Sequence, residues 1–117
     1  MLVAHGARVN VRNKSGATPL HTAALGGDSE VVKLLLDRGA EINARDQESS
    51  ATPLFYAASL GRVEVVELLL AQGADPMLEN VRSQTALDLA EENNQKEITA
   101  LLRRWASRRH APLKPFP

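Results

Sequence analysis

Residues that could carry out chemistry are few and scattered along this chain of 117 residues. The three histidines, His5, His21 and His110, lie far apart, and none has the spacing of a zinc-binding motif. The chain contains no cysteine, which excludes disulfides and thiolate ligands. We therefore expect no metal and no other cofactor. We interpret His21 as a side chain that hydrogen-bonds the backbone of a loop.

Acidic residues offer a second kind of chemistry. Asp88, Glu91 and Glu92 lie within about one helical turn and could suggest general acid–base catalysis. Glu91 and Glu92, however, follow the start of a predicted helix, where negative charge is favoured. The sequence also has no Gly-x-Ser-x-Gly motif and no complete phosphate-binding loop. We expect a chain that is not an enzyme and has no small-molecule substrate.

A basic run near the C terminus is the third candidate. Residues 1–102 contain nine Lys/Arg and 14 Asp/Glu (net −5), whereas residues 103–117 contain five Lys/Arg and no acid (net +5). Arg103, Arg104, Arg108 and Arg109 could form a nuclear-import signal or an anion-binding patch. Alternatively, Arg103 and Arg104 stabilise the C-terminus of a helix, and the residues after them form a solvated extension. We predict that residues 106–117 form a basic, Pro-containing flexible tail.

The elements that must position any site repeat along the chain with a period of 34 residues. Thr-Pro-Leu occupies 18–20 and 52–54, and Leu-Leu-Leu occupies 34–36 and 68–70. A fixed period of this length is typical of a stacked-repeat architecture.

One repeat predicts two helices and a loop. Thr18 and Pro19 suit a helix start, Gly27 suits its end, and Gly39 suits the end of the second helix. Such a pair cannot bury both of its apolar sides alone, so neighbouring copies must cover each other.

The repeated pattern resembles the ankyrin repeat. In the first copy the match is carried by Gly16, Thr18-Pro19-Leu20-His21, Ala23-Ala24, Gly27, Glu30-Val31-Val32, Leu34–Leu36, Gly39-Ala40 and Asn43. The resemblance covers about residues 1–105 and implies an all-α solenoid of stacked helix-turn-helix pairs joined by hairpin-like loops. It divides the chain into a remnant of a truncated repeat (1–12), a repeat (13–45), a repeat with a one-residue loop insertion (46–78) and a C-terminal capping repeat (79–105).

The two ends of the predicted stack differ. Polar residues 91–96 of the last repeat suit a cap, because nothing would stack beyond it. The remnant at the other end should leave one apolar side of residues 19–36 uncovered. We expect that upstream sequence is missing there, or that a partner or a second copy of the chain covers this face.

The resemblance implies a scaffold or adaptor that binds a protein partner through its loop tips and the concave face of its inner helices. The family's binding positions correspond here to Arg12, Lys14, Ala17, Leu25, Arg45, Gln47, Glu48, Ala51, Ser59, Leu60, Glu79, Val81, Arg82 and Gln84. This strip mixes both charges, whereas a nucleic-acid backbone would require several cations in line, so we do not expect nucleic acid as the partner.

Two alternatives remain open from the sequence, together with the location of the protein. The chain could be a nuclear regulatory factor that uses its basic tail, or a fragment of a larger multidomain protein. No segment approaches the roughly 20 apolar residues of a membrane helix, so we predict no membrane association. We expect the protein in the cytoplasm or the nucleus.

Overall fold

The computed structural model describes residues 9–110, with side chains described through residue 106. His5, residues 1–8 of the predicted remnant and residues 111–117 of the predicted tail lie outside these described residues. Six helices follow one another in the described part, which contains no strand. They are α1 (Pro19–Gly26), α2 (Ser29–Asp37), α3 (Pro53–Ser59), α4 (Val63–Ala71), α5 (Ala86–Glu92) and α6 (Lys96–His110). The prediction of an all-α fold is confirmed.

The helices form two layers that run through three stacked pairs. In the inner layer α3 packs against both α1 and α5, and in the outer layer α4 packs against both α2 and α6. Within each pair the inner helix also contacts its own outer helix. The first two helix pairs thus lie side by side, as expected from the prediction that neighbouring copies cover each other.

Small residues set the spacing of the inner layer. Ala24, Ala57, Ala58 and Ala90 are completely buried, so the inner helices approach each other closely. Larger side chains fill the space between the two layers, and Leu20, Leu54, Leu69, Ile98 and Leu102 are almost completely buried. This core of Leu, Ile, Val and Ala is the continuous apolar interior that a stacked array requires.

The ends of the first helix pair follow the local sequence. Gly27 closes α1 in the left-handed conformation (φ 79°), which glycine adopts without steric cost. Asp28 then begins α2, and its Oδ1 accepts a hydrogen bond of 3.2 Å from the Val31 N–H. The predicted turn between the two helices is confirmed.

The last helix is longer than predicted. Residues 106–110 were predicted to belong to the flexible tail, but they are helical because α6 continues to His110. The predicted start of the tail at residue 106 is therefore corrected. The residues from Arg103 to His110 include no Pro or Gly that would interrupt a helix, and Pro112 follows only after Ala111. Trp105 lies within this helix and packs, half-buried, against the core.

The predicted uncovered face at the first pair is smaller than expected. Val32 and Leu35 of α2 are buried, and Val31 and Leu36 are half-buried and pack against the core. Leu25 is the large apolar side chain of residues 19–36 that faces solvent, with 43% of its surface exposed. Self-association through this face stays a prediction.

Candidate protein-binding surface

Each of the three loops that precede an inner helix has the same internal hydrogen bonding. A side-chain oxygen at the start of the loop accepts the backbone N–H groups of two later residues, which fixes a tight turn. The acceptors and their donors are Asn13 with Ser15 and Ala17, Asp46 with Ser49 and Ala51, and Asn80 with Arg82 and Gln84. The repeat thus specifies loop shape as well as helix position.

The middle loop accommodates its extra residue between Asp46 and Ser49. Asp46 accepts the N–H of the third residue after it, whereas Asn13 and Asn80 accept that of the second. The turn glycine missing from this loop is replaced by Ser50, which adopts the left-handed conformation (φ 57°) that Gly16 has in the first loop (φ 79°).

Backbone hydrogen bonds join neighbouring loop tips into one ridge. The Gln47 N–H donates to the Ser15 oxygen at 3.0 Å, and the Val81 N–H donates to the Ser49 oxygen at 2.9 Å. The Arg12 guanidinium donates to the carbonyl oxygen of Arg45 at 2.7 Å, which also links two repeats. Arg12, predicted as a binding residue, therefore has a structural contact as well.

An apolar pocket of about 270 Å³ lies on the inner helices beside this ridge. We call it the apolar pocket; it is lined by Leu25, Ala51, Phe55, Tyr56, Ser59, Leu60 and Leu89. Leu25 and Leu60 are 43% and 45% exposed, so two large apolar side chains face solvent at its rim. The pocket spans all three inner helices and can accept an apolar group from another molecule.

Tyr56, which forms one wall of the apolar pocket, is hydrogen-bonded to the middle loop. The Tyr56 hydroxyl donates a hydrogen bond of 2.6 Å to Oδ2 of Asp46, whose other oxygen holds the loop. Burial alone would raise the pKa of the Asp46 carboxyl, but the hydrogen bonds from Tyr56, Ser49 and Ala51 outweigh burial and lower it. Burial and then the Asp46 carboxylate raise the pKa of Tyr56. Asp46 is thus an anion and Tyr56 a neutral donor at neutral pH.

His21 holds the base of the same loop. Its Nδ1 accepts the Thr18 N–H at 3.0 Å, so the proton is on Nε2, which donates to the Ala51 oxygen at 2.8 Å. Burial is the main cause of the lowered pKa of His21, and the ring is neutral. The interpretation of His21 as a side chain that hydrogen-bonds the backbone of a loop is confirmed.

The predicted binding residues fall into three locations. Leu25, Ala51, Ser59 and Leu60 line the apolar pocket. Val81, Arg82 and Gln84 line an adjacent hollow of about 230 Å³, together with Ser49, Asn80, Leu89 and Glu92; we call it the polar hollow. Exposed positions outside both are Arg12, Lys14, Arg45, Gln47, Glu48 and Glu79.

Two of the predicted residues offer little side-chain surface. Ala17 and Ala51 are each only 6% exposed, because they directly precede the N-cap of an inner helix at the base of the loop. Ala51 still forms part of the pocket wall, whereas Ala17 is not one of its lining residues.

Sequence reasoning missed three residues of the apolar pocket, Phe55, Tyr56 and Leu89. Leu89 lies 33 residues after Tyr56, so the two occupy equivalent positions of successive repeats. This equivalence was the available signal, since side chains at one repeat position line up along a stack.

The basic patch is partly neutralised. Arg103 forms an ion pair with Glu91, and Arg104 is exposed on α6. The side chains of Arg108 and Arg109 lie outside the described residues. Among the side chains of residues 9–106, no three His, Asp or Glu come together in a group that could hold a metal ion. None of the helices described here has the length and apolar character that crossing a membrane requires.

Comparison with known proteins agrees with this architecture. A family model described as "Ankyrin repeats (3 copies)" matches residues 1–80 and 45–108. The chain belongs to the ankyrin-repeat family. Ankyrin repeats are in general modules for protein interaction, which fits three stacked pairs with a ridge of loop tips.

Several curated proteins are similar over part of the chain. Putative ankyrin repeat protein FPV233 of Fowlpox virus (strain NVSL) is 49% identical over 38% of this chain and 9% of its own length. Ankyrin repeat-containing protein P1E11.10 of Schizosaccharomyces pombe is 42% identical over 37% of this chain and 21% of its own length. Palmitoyltransferase akr1 of Aspergillus oryzae is 59% identical over 69% of this chain and 11% of its own length. The matched segments thus span about a fifth or less of these relatives.

Proposed function

We propose that this ankyrin-repeat chain is a non-catalytic scaffold or adaptor that binds a protein partner through its loop tips and the apolar pocket of its inner helices. The observation that carries the proposal is the pair of large apolar side chains, Leu25 and Leu60, exposed at the rim of this pocket. Exposed apolar groups that surround a concavity are typical of interaction sites, because a partner gains free energy by removing them from water.

Rigidity of the surrounding backbone supports the same proposal. The Asp46 carboxylate holds the middle loop and the Tyr56 wall, and inter-loop hydrogen bonds hold the ridge beside them. A preorganised surface loses little conformational entropy when it binds, so more of the contact energy appears as affinity.

The alternative of nuclear regulation through the basic patch stays a prediction. It needs cations that are available to another molecule, and Arg103 already pairs with Glu91. The observations on the described residues therefore favour the inner face over the patch.

Affinity purification with a matched pair of variants tests the proposal. Leu60→Arg places a charge at the rim of the apolar pocket, whereas Met77→Arg places one at an equally exposed residue (45%) that does not line it. We expect the proteins captured by the wild type to be recovered with Met77→Arg and reduced roughly tenfold or more with Leu60→Arg, since truncating or charging a central apolar contact is costly. Quantitative mass spectrometry measures recovery.

Unfolding in urea serves as the control for this experiment. Both substitutions are at exposed positions, so each should change the free energy of unfolding by no more than about 0.5 kcal/mol. Undiminished capture of every partner by a folded Leu60→Arg variant would overturn the proposed surface.

A further inference from the structure

Two neighbouring concavities on the inner face share one side chain. Leu89 of α5 lines both the apolar pocket and the polar hollow. A ligand that crosses Leu89 therefore meets an apolar environment on one side and a polar environment on the other.

The size of the apolar pocket suits an amino-acid side chain. Its volume of about 270 Å³ exceeds the roughly 150 Å³ that accommodates benzene but falls below the roughly 300–1,000 Å³ of pockets that hold drug-sized molecules. One bulky side chain of a partner fits such a space, whereas a drug-sized molecule exceeds it.

The polar atoms in the wall of the apolar pocket already have partners. The Tyr56 hydroxyl donates to Asp46, and the Ser59 hydroxyl accepts from Nδ2 of Asn93 at 3.4 Å. The remaining surface comes from Leu, Phe and Ala side chains. Most of this wall is apolar and so favours an apolar occupant, because the two hydroxyls would replace only part of the hydration that a polar side chain loses there.

The helix that carries the shared boundary also carries a negative charge, Glu92. Glu92 follows Leu89 by three residues on α5, and side chains with this spacing on a helix are about 5–6 Å apart. Its Oε2 accepts a long hydrogen bond of 3.5 Å from Nε2 of Gln84, and it forms no ion pair with any described residue. Arg82 also lines the polar hollow, but it belongs to the loop tip rather than to the helix that carries Leu89.

We propose that the partner presents an extended peptide segment in which a bulky apolar side chain is followed, after about one or two residues, by Lys or Arg. The apolar side chain fills the apolar pocket between Leu25, Leu60 and Leu89, and the cation pairs with Glu92. The distance of about 5–6 Å between the side chains of Leu89 and Glu92 corresponds to one or two residues of an extended peptide, which advances about 3.3 Å per residue. This inference rests on the proposed function and adds the chemistry of the partner.

Selection from a random-peptide library displayed on phage, with the intact chain as bait, is the first test. Enriched peptides carry an aliphatic or aromatic residue followed closely by Lys or Arg. Leu60→Arg weakens the binding of the enriched peptide roughly tenfold or more, and Met77→Arg changes it by less than about twofold. Titration followed by fluorescence anisotropy of the labelled peptide measures both values.

A charge exchange is the second test. Glu92→Lys weakens the binding of the enriched peptide roughly tenfold. Replacing the peptide's cation by Glu restores binding to this variant, as expected for a direct charge pair. Enrichment of peptides without the apolar–basic pair, no enrichment at all, or equal binding of both peptides by Glu92→Lys would overturn the inference. If proteins are still captured in a Leu60-dependent manner while peptides fail, the partner is a folded surface and the proposed function stands alone.

Discussion

At the residue scale, Tyr56 distinguishes the middle repeat from its neighbours. The equivalent residues Thr22 and Leu89 have no phenol, whereas the Tyr56 hydroxyl reaches Asp46 in the one loop that contains an extra residue. The ring also lies 5.0 Å from that of His21, so a single side chain contacts the loop, the buried histidine and the apolar pocket. We infer that this hydrogen bond holds the longer loop against the pocket.

Tyr56→Phe tests this contact without removing the ring. Loss of a hydrogen bond to a charged group should lower the free energy of unfolding by about 1.5–3 kcal/mol at pH 7. Because the pKa of Asp46 is lowered in the folded state, its stabilising contribution is present above its ordinary pKa and is lost as the pH falls below that value. The difference between wild type and variant should therefore shrink in urea titrations from pH 7 towards pH 3.

Asp46→Asn provides the background for a double-mutant cycle. In this background Tyr56→Phe should cost clearly less than in the wild type, since the charged acceptor is gone. An equal cost in both backgrounds would show that the hydroxyl acts through some other group.

At the scale of elements, backbone hydrogen bonds join neighbouring loops to one another. Gly16 in the first loop has a positive φ of 79° and lies directly against the second loop. A Cβ at this position would approach the Gln47 nitrogen to 2.7 Å, and that nitrogen donates the hydrogen bond that joins the two tips. The glycine is thus needed for the close approach of two loops as well as for the turn.

Gly16→Ala should destabilise the protein by at least about 2 kcal/mol, because it combines an unfavourable left-handed alanine with a backbone contact that cannot yield. Gly26→Ala is the matched control: a Cβ there meets nothing within 4 Å, and the residue ends α1. This control should be neutral or stabilise by up to about 1 kcal/mol. Urea unfolding of both variants measures the contrast, and similar costs at the two positions would contradict the role assigned to the loop contact.

At the scale of the whole molecule, packing between repeats adds to the packing within each helix pair. The inner helix α3 packs against α1 on one side and α5 on the other, whereas α6 makes its main contacts with α4 and α5. In such a one-dimensional stack, loss of packing in the middle unit weakens two interfaces.

Leu54→Ala and Leu102→Ala compare the middle of the stack with its last pair. Each leucine is 1% exposed, so each truncation should cost about 2–5 kcal/mol. Hydrogen exchange should show lost protection in all three helix pairs for Leu54→Ala, but mainly in α5 and α6 for Leu102→Ala, with α1 and α2 retained. Identical exchange patterns would indicate that the molecule opens as one indivisible unit.

The sequence determined the fold of this protein because the stack is built from local units. Thr-Pro-Leu starts, closing glycines and apolar stripes recur along the chain, and the main helix contacts are either within one pair or between corresponding helices of neighbouring pairs. Periodicity therefore predicted the helix pairs and their stacking. It misplaced the end of α6, where no stop residue marks the boundary.

Only the tertiary structure decided which side chains form a surface together. The resemblance placed Leu25 and Leu60 on the inner face, but only the stack shows that they share one pocket with Leu89 of a third repeat. The bond between Asp46 and Tyr56 likewise depends on how far the longer loop folds back over α3. Repetition specifies the spacing of the units, but the shape and chemistry of the inner face depend on the non-repeated residues that the stack brings side by side.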